Sequence, residues 1–266
     1  MRAYVNGIGA LGPGLCGWPA TSAVLAGKDC YREKEPAHPA VTILPPNEHR
    51  RSSDPVRWAV HVAQEAIAQA KAEPRDLATV FASSCGEAGV LDRICAALAT
   101  PQRQVSPTLF HQSVHNAAAG YWGIATGCQR SSTALSCYDS SFSCGLVEAA
   151  AYLCMDEEPV LLVAYDLPPP PPLFAARPVR AKFAVALTLT YRPGSNSFAV
   201  LDIELKDRSL QPPTIMNDRD LEALRLATPA ARSLPLLSAI AKGQSTSVCI
   251  DYLNQPLLIG VAPWTF

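Results

Sequence analysis

Charge is scarce in this sequence and has no sign bias: Asp, Glu, Lys and Arg make up 17% of its 266 residues, and the formal net charge is -1. No sustained run of Lys or Arg breaks that balance, which removes the electrostatic footprint of a nucleic-acid or anionic-membrane binder. Long apolar runs are missing as well. Stretches such as Val160 to Tyr165 fall far short of the roughly 20 residues a membrane helix needs. The opening Met1-Arg2-Ala3-Tyr4-Val5-Asn6-Gly7 carries no apolar block of signal-peptide length, so a cytoplasmic protein without a membrane span is expected. None of the nine Cys sits in a CxxC spacing, which argues against a zinc site or a redox pair. Settings such as Ile94-Cys95-Ala96 and Leu153-Cys154-Met155 read as small buried hydrophobes. Histidine ends early: the five His stand at 38, 49, 61, 111 and 115, and none follows.

What the chain does have is apolar substance. Hydrophobic residues reach 48%, ample for a large core. Arg2 to Gly7 reads as a strand. The Gly7-Ile8-Gly9-Ala10-Leu11-Gly12 that follows matches a dinucleotide fingerprint only in its glycines, because Pro13 and Gly14 stand where a phosphate-binding helix should open. No nucleotide, other cofactor or metal is expected. Lys28 to Asp54 is polar and punctuated by proline, hence a surface excursion.

Asp54-Pro55 opens a helix with Asp as its cap, and Val60, Ala63, Ala66, Ile67 and Ala70 keep helical spacing. Leu77 to Ser83 is a buried strand, and Glu87 to Leu98 a helix. Ser113 to Thr126 reads as a further helix whose Ala117-Ala118-Ala119-Gly120 would admit a neighbour very closely, with Tyr121 and Trp122 in the core. Ser132 to Ser136 is a strand, Ser140 to Cys154 a buried helix with Glu148 as its one charge, and Pro159 to Tyr165 another strand. Prolines 168 to 172 form a stiff stretch that ends the first unit. Phe183 to Tyr191 and Ala199 to Leu205 alternate across Pro193-Gly194-Ser195-Asn196 and predict a β-hairpin. The order of elements means an α/β protein, with a mixed sheet flanked by helices over residues 1–206. Residues 207–266 add two helices, near Asp218 to Ala227 and Leu236 to Lys242, and a hairpin from Thr246 to Gly260, an extension packed on that domain.

The informative turn is Ser136-Cys137-Tyr138-Asp139-Ser140, between a strand and a buried helix. This is the geometry of a nucleophile elbow, where unpaired backbone N–H groups and the helix dipole favour a thiolate or an oxyanion. With Ser106-Pro107 and Asn116-Ala117-Ala118-Ala119-Gly120-Tyr121-Trp122-Gly123-Ile124 before it, the segment resembles the N-terminal half of a β-ketoacyl-acyl-carrier-protein synthase. Phe110-His111-Gln112-Ser113-Val114-His115-Asn116 is similar to a short subgroup found beside ketosynthases in aryl-polyene pigment clusters. The resemblance covers roughly residues 1 to 205 and implies half of a thiolase-like fold, with the C-terminal hairpin as an addition.

The departures from the family bear on function. The family's elbow holds a Cys about ten residues before an Ala of the next helix, and counting back from Ala149 reaches Asp139. A carboxylate there is expected to cap the helix and to oppose the negative charge a condensing enzyme stabilises. The His residues of the family's second half have no counterpart after His115. The resemblance thus implies a non-catalytic, chain-length-factor-like subunit. It would form a heterodimer with a full-length ketosynthase and shape its acyl tunnel through Phe110, Gln112, Ser113, Val114, His115 and Asn116, with an acyl-carrier protein as a further partner.

Two alternatives stay open. Cys137 ends the strand, and alternation turns it to the same face as Asp139, so it could be a displaced nucleophile for acyl transfer or thioester hydrolysis with His111 or His115 as base. The chain could also be a structural dimer or a carrier-docking module. His111 and His115, four apart, would share one face of a helix; without a third ligand they read as interface residues and not as a metal pair.

Overall fold

The computed structural model describes residues 1–39, 41–171, 173–206 and 211–265. Pro172, and the first four residues of the expected 207–266 extension, lie outside the described residues. In chain order the elements are β1 (Arg2–Gly12), β2 (Leu15–Cys16), α1 (Trp18–Leu25), α2 (Pro46–Arg51), α3 (Asp54–Ala70), β3 (Ala78–Ala82), α4 (Ala88–Leu98), α5 (Pro107–Gln112), α6 (Ala117–Thr126), β4 (Ser132–Leu135) and α7 (Ser141–Asp156). They continue with β5 (Val160–Asp166), α8 (Leu173–Ala176), β6 (Phe183–Thr190), β7 (Ala199–Leu205), α9 (Arg219–Ala227), α10 (Leu234–Lys242), β8 (Thr246–Tyr252) and β9 (Gln255–Pro263).

One mixed sheet in the order β4-β3-β5-β6-β1-β7-β9-β8 runs through the molecule, with β2 paired to the end of β1. β3 pairs in parallel with β4 and β5, and the remaining pairs are antiparallel. Period-two alternation distributes each central strand between two cores. On β5, Val160, Leu162 and Ala164 join Phe142, Leu146 and Leu153 of α7, while Leu161, Val163 and Tyr165 join Val62, Ala66 and other residues of α3. The result is three layers, with α3 and α6 against one face and α1, α7, α9 and α10 against the other.

α3 shows why the layers sit so close. Ser53 Oγ accepts the Val56 N–H at 3.3 Å, Pro55 occupies the first turn, and Lys71 at φ 52° ends the helix. The cap is therefore Ser53 and not Asp54, whose carboxylate instead stands 3.8 Å from Arg57 one turn on. Val56, Val60, Ala63, Ile67 and Ala70 are buried at helical spacing, each Val or Ile contributing about 1.5–3 kcal/mol. Opposite them, the glycines of β1 leave no side chain in the way: a Cβ on Gly7 would lie 2.0 Å from the Ala66 carbonyl oxygen, and one on Gly9 2.0 Å from that of Val62. The fingerprint-like spacing is thus a helix-packing surface. The bulge of β1 between Val5 and Gly7 belongs to the same contact, since the Ile8 N–H donates to Gln69 Oε1 at 2.8 Å and the Ala10 N–H to Glu65 Oε2 at 3.0 Å.

Several expectations need correction. β6 and β7 are not a hairpin: β1 lies between them and pairs with both. β6 is buried on both faces, so its alternation marks a central strand needing a partner on each edge. Because β5 pairs directly with β6, the prolines after β5 do not end a unit. The helix expected over 113–126 begins only at Ala117, as α6; residues 113–116 separate it from α5, a short helix that the spacing did not predict. Nothing lies within 4 Å of a Cβ built on Gly120, so no neighbour exploits that glycine. Cys95 and Cys154, expected to be buried, are exposed, because α4 buries only Val90 and Ile94 and α7 leaves the core after Leu153. The surface excursion contains α2. Toward the C-terminus, Asp218 Oδ1 accepts the N–H groups of Asp220 and Leu221 and opens α9, and β9 pairs with β7, so the last hairpin extends the same sheet. Among the described residues no helix is long and apolar enough to cross a membrane.

Candidate functional site

The parallel strands β3, β4 and β5 end side by side, and the loops beyond their carboxyl ends gather the polar chemistry, as the geometry of parallel sheets favours. The elbow leaves β4 through Ser136 and Cys137, passes Tyr138 at φ 54°, makes one 3-10 turn to Ser140 and enters α7. A positive φ on an aromatic residue is strained. Its neighbours hold it: Ser141 Oγ accepts the Cys137 N–H at 3.1 Å and donates to the Tyr138 carbonyl at 2.8 Å. Ser136 Oγ donates to the Ser84 carbonyl at 3.1 Å, and the Leu253 N–H, from the turn between β8 and β9, donates to Ser140 Oγ at 3.0 Å.

Asp139 does not cap the helix. No side chain in this turn makes a capping bond, and the Asp139 carboxylate instead accepts from Arg177 Nη2 at 2.6 Å, with Arg232 Nη2 3.9 Å from its other oxygen. Arg177 reaches further: Nε and Nη2 donate to Ser84 Oγ at 3.1 and 2.8 Å, and its guanidinium lies 3.5 Å from the centroid of the exposed Tyr138 ring. A planar fork that stacks on an aromatic face while gripping a carboxylate is a role Lys cannot fill. Burial works against the Arg177 charge, but the Asp139 bond and charge outweigh it and raise its pKa. Arg232 moves down, through burial and then the nearby Arg225.

Beneath this surface layer sits Asp166, the last residue of β5 and fully buried. Its Oδ1 accepts from the Ser84 N–H at 2.7 Å and Ser83 Oγ at 3.3 Å, and its Oδ2 from the Ala230 N–H at 3.1 Å. Burial pushes its carboxyl up to about 7 against those hydrogen bonds. Glu87, just before α4, is likewise pushed to about 7 by burial, with Ser53 Oγ donating to it at 2.7 Å. One carboxylate thus ties the loop after β3 to the chain before α10, and through Ser84 supports Arg177.

The sequence-expected site residues are spread over different environments. Cys137 and Asp139 do not share surroundings, because the positive φ of Tyr138 interrupts strand alternation. The Cys137 thiol stands within hydrogen-bonding reach of buried Cys144, whose pKa is pushed up to about 12 by burial and by that neighbour. His115 Nε2 lies 3.0 Å from the Leu135 carbonyl oxygen and the ring packs on Gly86, while His111 is exposed in the last turn of α5. They do not share a helix, so no two-His face forms. Gln112 is buried, its amide donating to the Arg51 carbonyl and to Tyr121 Oη, so it braces α5 from inside. Phe110 and Val114 are exposed, at 70% and 49%, and Ser113 half-buried. Asn116 is exposed and makes no capping bond to α6. Arg177, Arg232, Ser84 and Asp166 were not foreseen. Only Asp166, an acid closing an otherwise apolar strand, carries a signal in the sequence.

The turn can therefore hold a carboxylate, two guanidiniums and a weakly acidic thiol neighbour. No imidazole is bonded to the Cys137 thiol among the described residues, and no group of three His, Cys, Asp or Glu among them stands close enough to hold a metal ion. No curated protein matches the chain. Solved structures do: the ketosynthase ApeO in complex with its chain length factor ApeC from Xenorhabdus doucetiae matches with TM-score 0.74 and 22% identity over 98% of this chain and 99% of that one. The ishigamide ketosynthase/chain length factor matches at 0.71 and 11% identity over 98% and 99%. AntDE:AntF, a type II polyketide-synthase acyl-carrier protein in complex with its ketosynthase, matches at 0.71 and 12% identity over 98% of each chain. These likenesses establish the thiolase-like fold. The family model for the N-terminal domain of β-ketoacyl synthases matches residues 25–228, more than half of the chain, and the protein belongs to that family.

Proposed function

We propose that this chain is a non-catalytic, chain-length-factor-like subunit that pairs in the cytoplasm with a full-length ketosynthase and shapes its acyl tunnel in aryl-polyene biosynthesis. The observation that carries the reading is the elbow itself: where the family's thiolate is expected, Asp139 is gripped by Arg177 at 2.6 Å. A carboxylate already paired to a guanidinium is a poor nucleophile, and its negative charge opposes that of an acyl oxyanion.

Pairing is supported by the edge of the sheet. Among the described residues β4 ends the strand order with its outer side unpaired, and an open edge is a template for another chain. The exposed Phe110, Val114 and Ile124, on α5, α6 and the link between them, offer further apolar surface. The complexes found among the structural neighbours support the same arrangement. Gln112, being buried, is reassigned to bracing α5, which leaves Phe110 and Val114 to reach toward the partner's tunnel, where a carrier protein would deliver the growing chain. A larger side chain there removes a methylene-sized slot and shortens the chain that fits.

Co-expression with a full-length ketosynthase of the same source should yield a stable one-to-one complex, and Val114→Phe should shorten its products without abolishing initiation. A ketosynthase that forms a fully active homodimer and never retains this chain would overturn the reading, as would an acyl adduct on Cys137 seen by intact mass.

A further inference from the structure

A cavity of about 800 Å³ lies away from the elbow, between the first turns of α3 and α4, the helix α5 and the loop after β5. That volume is within the range of ordinary small-molecule sites. Its wall is divided by chemistry. Pro55, Val90, Leu109, Leu167, Pro168 and Pro170 make one part apolar, while Arg50, Arg51, Arg57, Arg93 and Lys182 stand around it with only Asp54 and Glu87 as acids in the lining.

The cations are not equally committed. Arg51 lies 3.7 Å from Glu48, Arg57 3.8 Å from Asp54, and Lys182 2.8 Å from Glu35. Arg50 and Arg93 form no salt bridge among the described residues: Arg50 donates to the Asn47 side-chain carbonyl, and Arg93 Nε to the Gly89 carbonyl at 3.3 Å. Their remaining N–H groups suit a carboxylate or phosphate, the anions a guanidinium fork recognises. Glu87 faces Arg93, and burial pushes its carboxyl up to about 7, so near neutral pH it opposes the cations only in part.

Depth is kept by a glycine. Gly89 lines the cavity in the first turn of α4, and a Cβ built there meets nothing within 4 Å. The missing side chain therefore leaves that space open.

We propose that this cavity binds an amphiphilic anion: an acyl or aromatic chain seated on the apolar wall, with a carboxylate or phosphate head held by Arg50 and Arg93. All of the residues that line it belong to this chain.

The test titrates decanoate, decyl phosphate and decanol into the purified full-length chain by calorimetry. At least one of the two anions should bind, the tighter one naming the head group, and decanol should bind about tenfold more weakly or worse. Gly89→Phe should abolish binding of chain and head alike without lowering the thermal midpoint. Arg93→Gln, at an exposed position, should weaken the anions about tenfold and leave decanol unaffected. No binding of either anion, equal affinity for decanol, or an undisturbed affinity in Gly89→Phe would each overturn the proposal.

Discussion

The amino-terminal strand around Gly7–Gly12 and the turn at 136–140 are held in opposite ways. In the first, backbone meets backbone: α3 approaches β1 so closely that its carbonyls occupy the places of two missing Cβ atoms. In the second, side chains do the holding, through Arg177, Ser84 and Ser141, and much of the turn faces water. The difference teaches where function can reside. A surface packed at van der Waals limits cannot open for a ligand, whereas a half-exposed network of charges can exchange partners.

That contrast is broken most severely at the packed end. Gly9→Val would drive a branched side chain into the Val62 carbonyl, and since both partners are backbone, neither can move aside cheaply. A loss of about 3 kcal/mol or more is expected, enough to leave little folded protein. A urea midpoint close to that of the parent would show that α3 shifts more freely than its packing implies.

Between the two extremes stands Asp166, buried like the first region yet polar like the second. Asp166→Ala would leave the N–H groups of Ser84 and Ala230 without their acceptor, at about 1–3 kcal/mol for each group that stays dry. Titration supplies an independent reading. Asp166 and Glu87 are held neutral in the folded protein up to about pH 7, while in the unfolded chain they ionise in the ordinary carboxylate range. Between those limits the folded state binds the extra protons, so their contribution to stability is complete at the acid end and is lost as pH rises through about 7. Urea midpoints measured from about pH 6 to about pH 8 should therefore fall, and the fall should be smaller in Asp166→Asn and smallest with Glu87→Gln added.

Legibility in the sequence followed the same division. Elements whose own residues settle their state were readable: α3 from its apolar spacing, β5 from its apolar run, α9 from Asp218, and the elbow from a strand running into a small-residue helix. What alternation could not tell is which strand lies alongside which, so β6 and β7 read as neighbours although β1, nearly 200 residues away in sequence, separates them. The site was half legible. Asp139 could be singled out by counting, but its partner Arg177 lies 38 residues on in a loop whose sequence has no period. Nothing local foretold that α5 would stop at Gln112 and turn that side chain inward.

The smallest expected effect is at the elbow's own ion pair, and there the size of the effect is itself informative. The Asp139 side chain is 46% exposed and that of Arg177 18%, so solvent screening reduces the pair to about 1 kcal/mol in spite of its short contact. In a double-mutant cycle, Arg177→Gln and Asp139→Asn should each cost about that much, with a coupling of similar size that shrinks as salt is added. A coupling of several kcal/mol, insensitive to salt, would mean that the turn is as rigid as the packed face of β1, and the contrast between the two regions would fail. A coupling near zero would mean that Ser84 and the Tyr138 ring alone hold Arg177. Asp139 would then be free to leave it, and the carboxylate would no longer support the proposal that the elbow is non-catalytic.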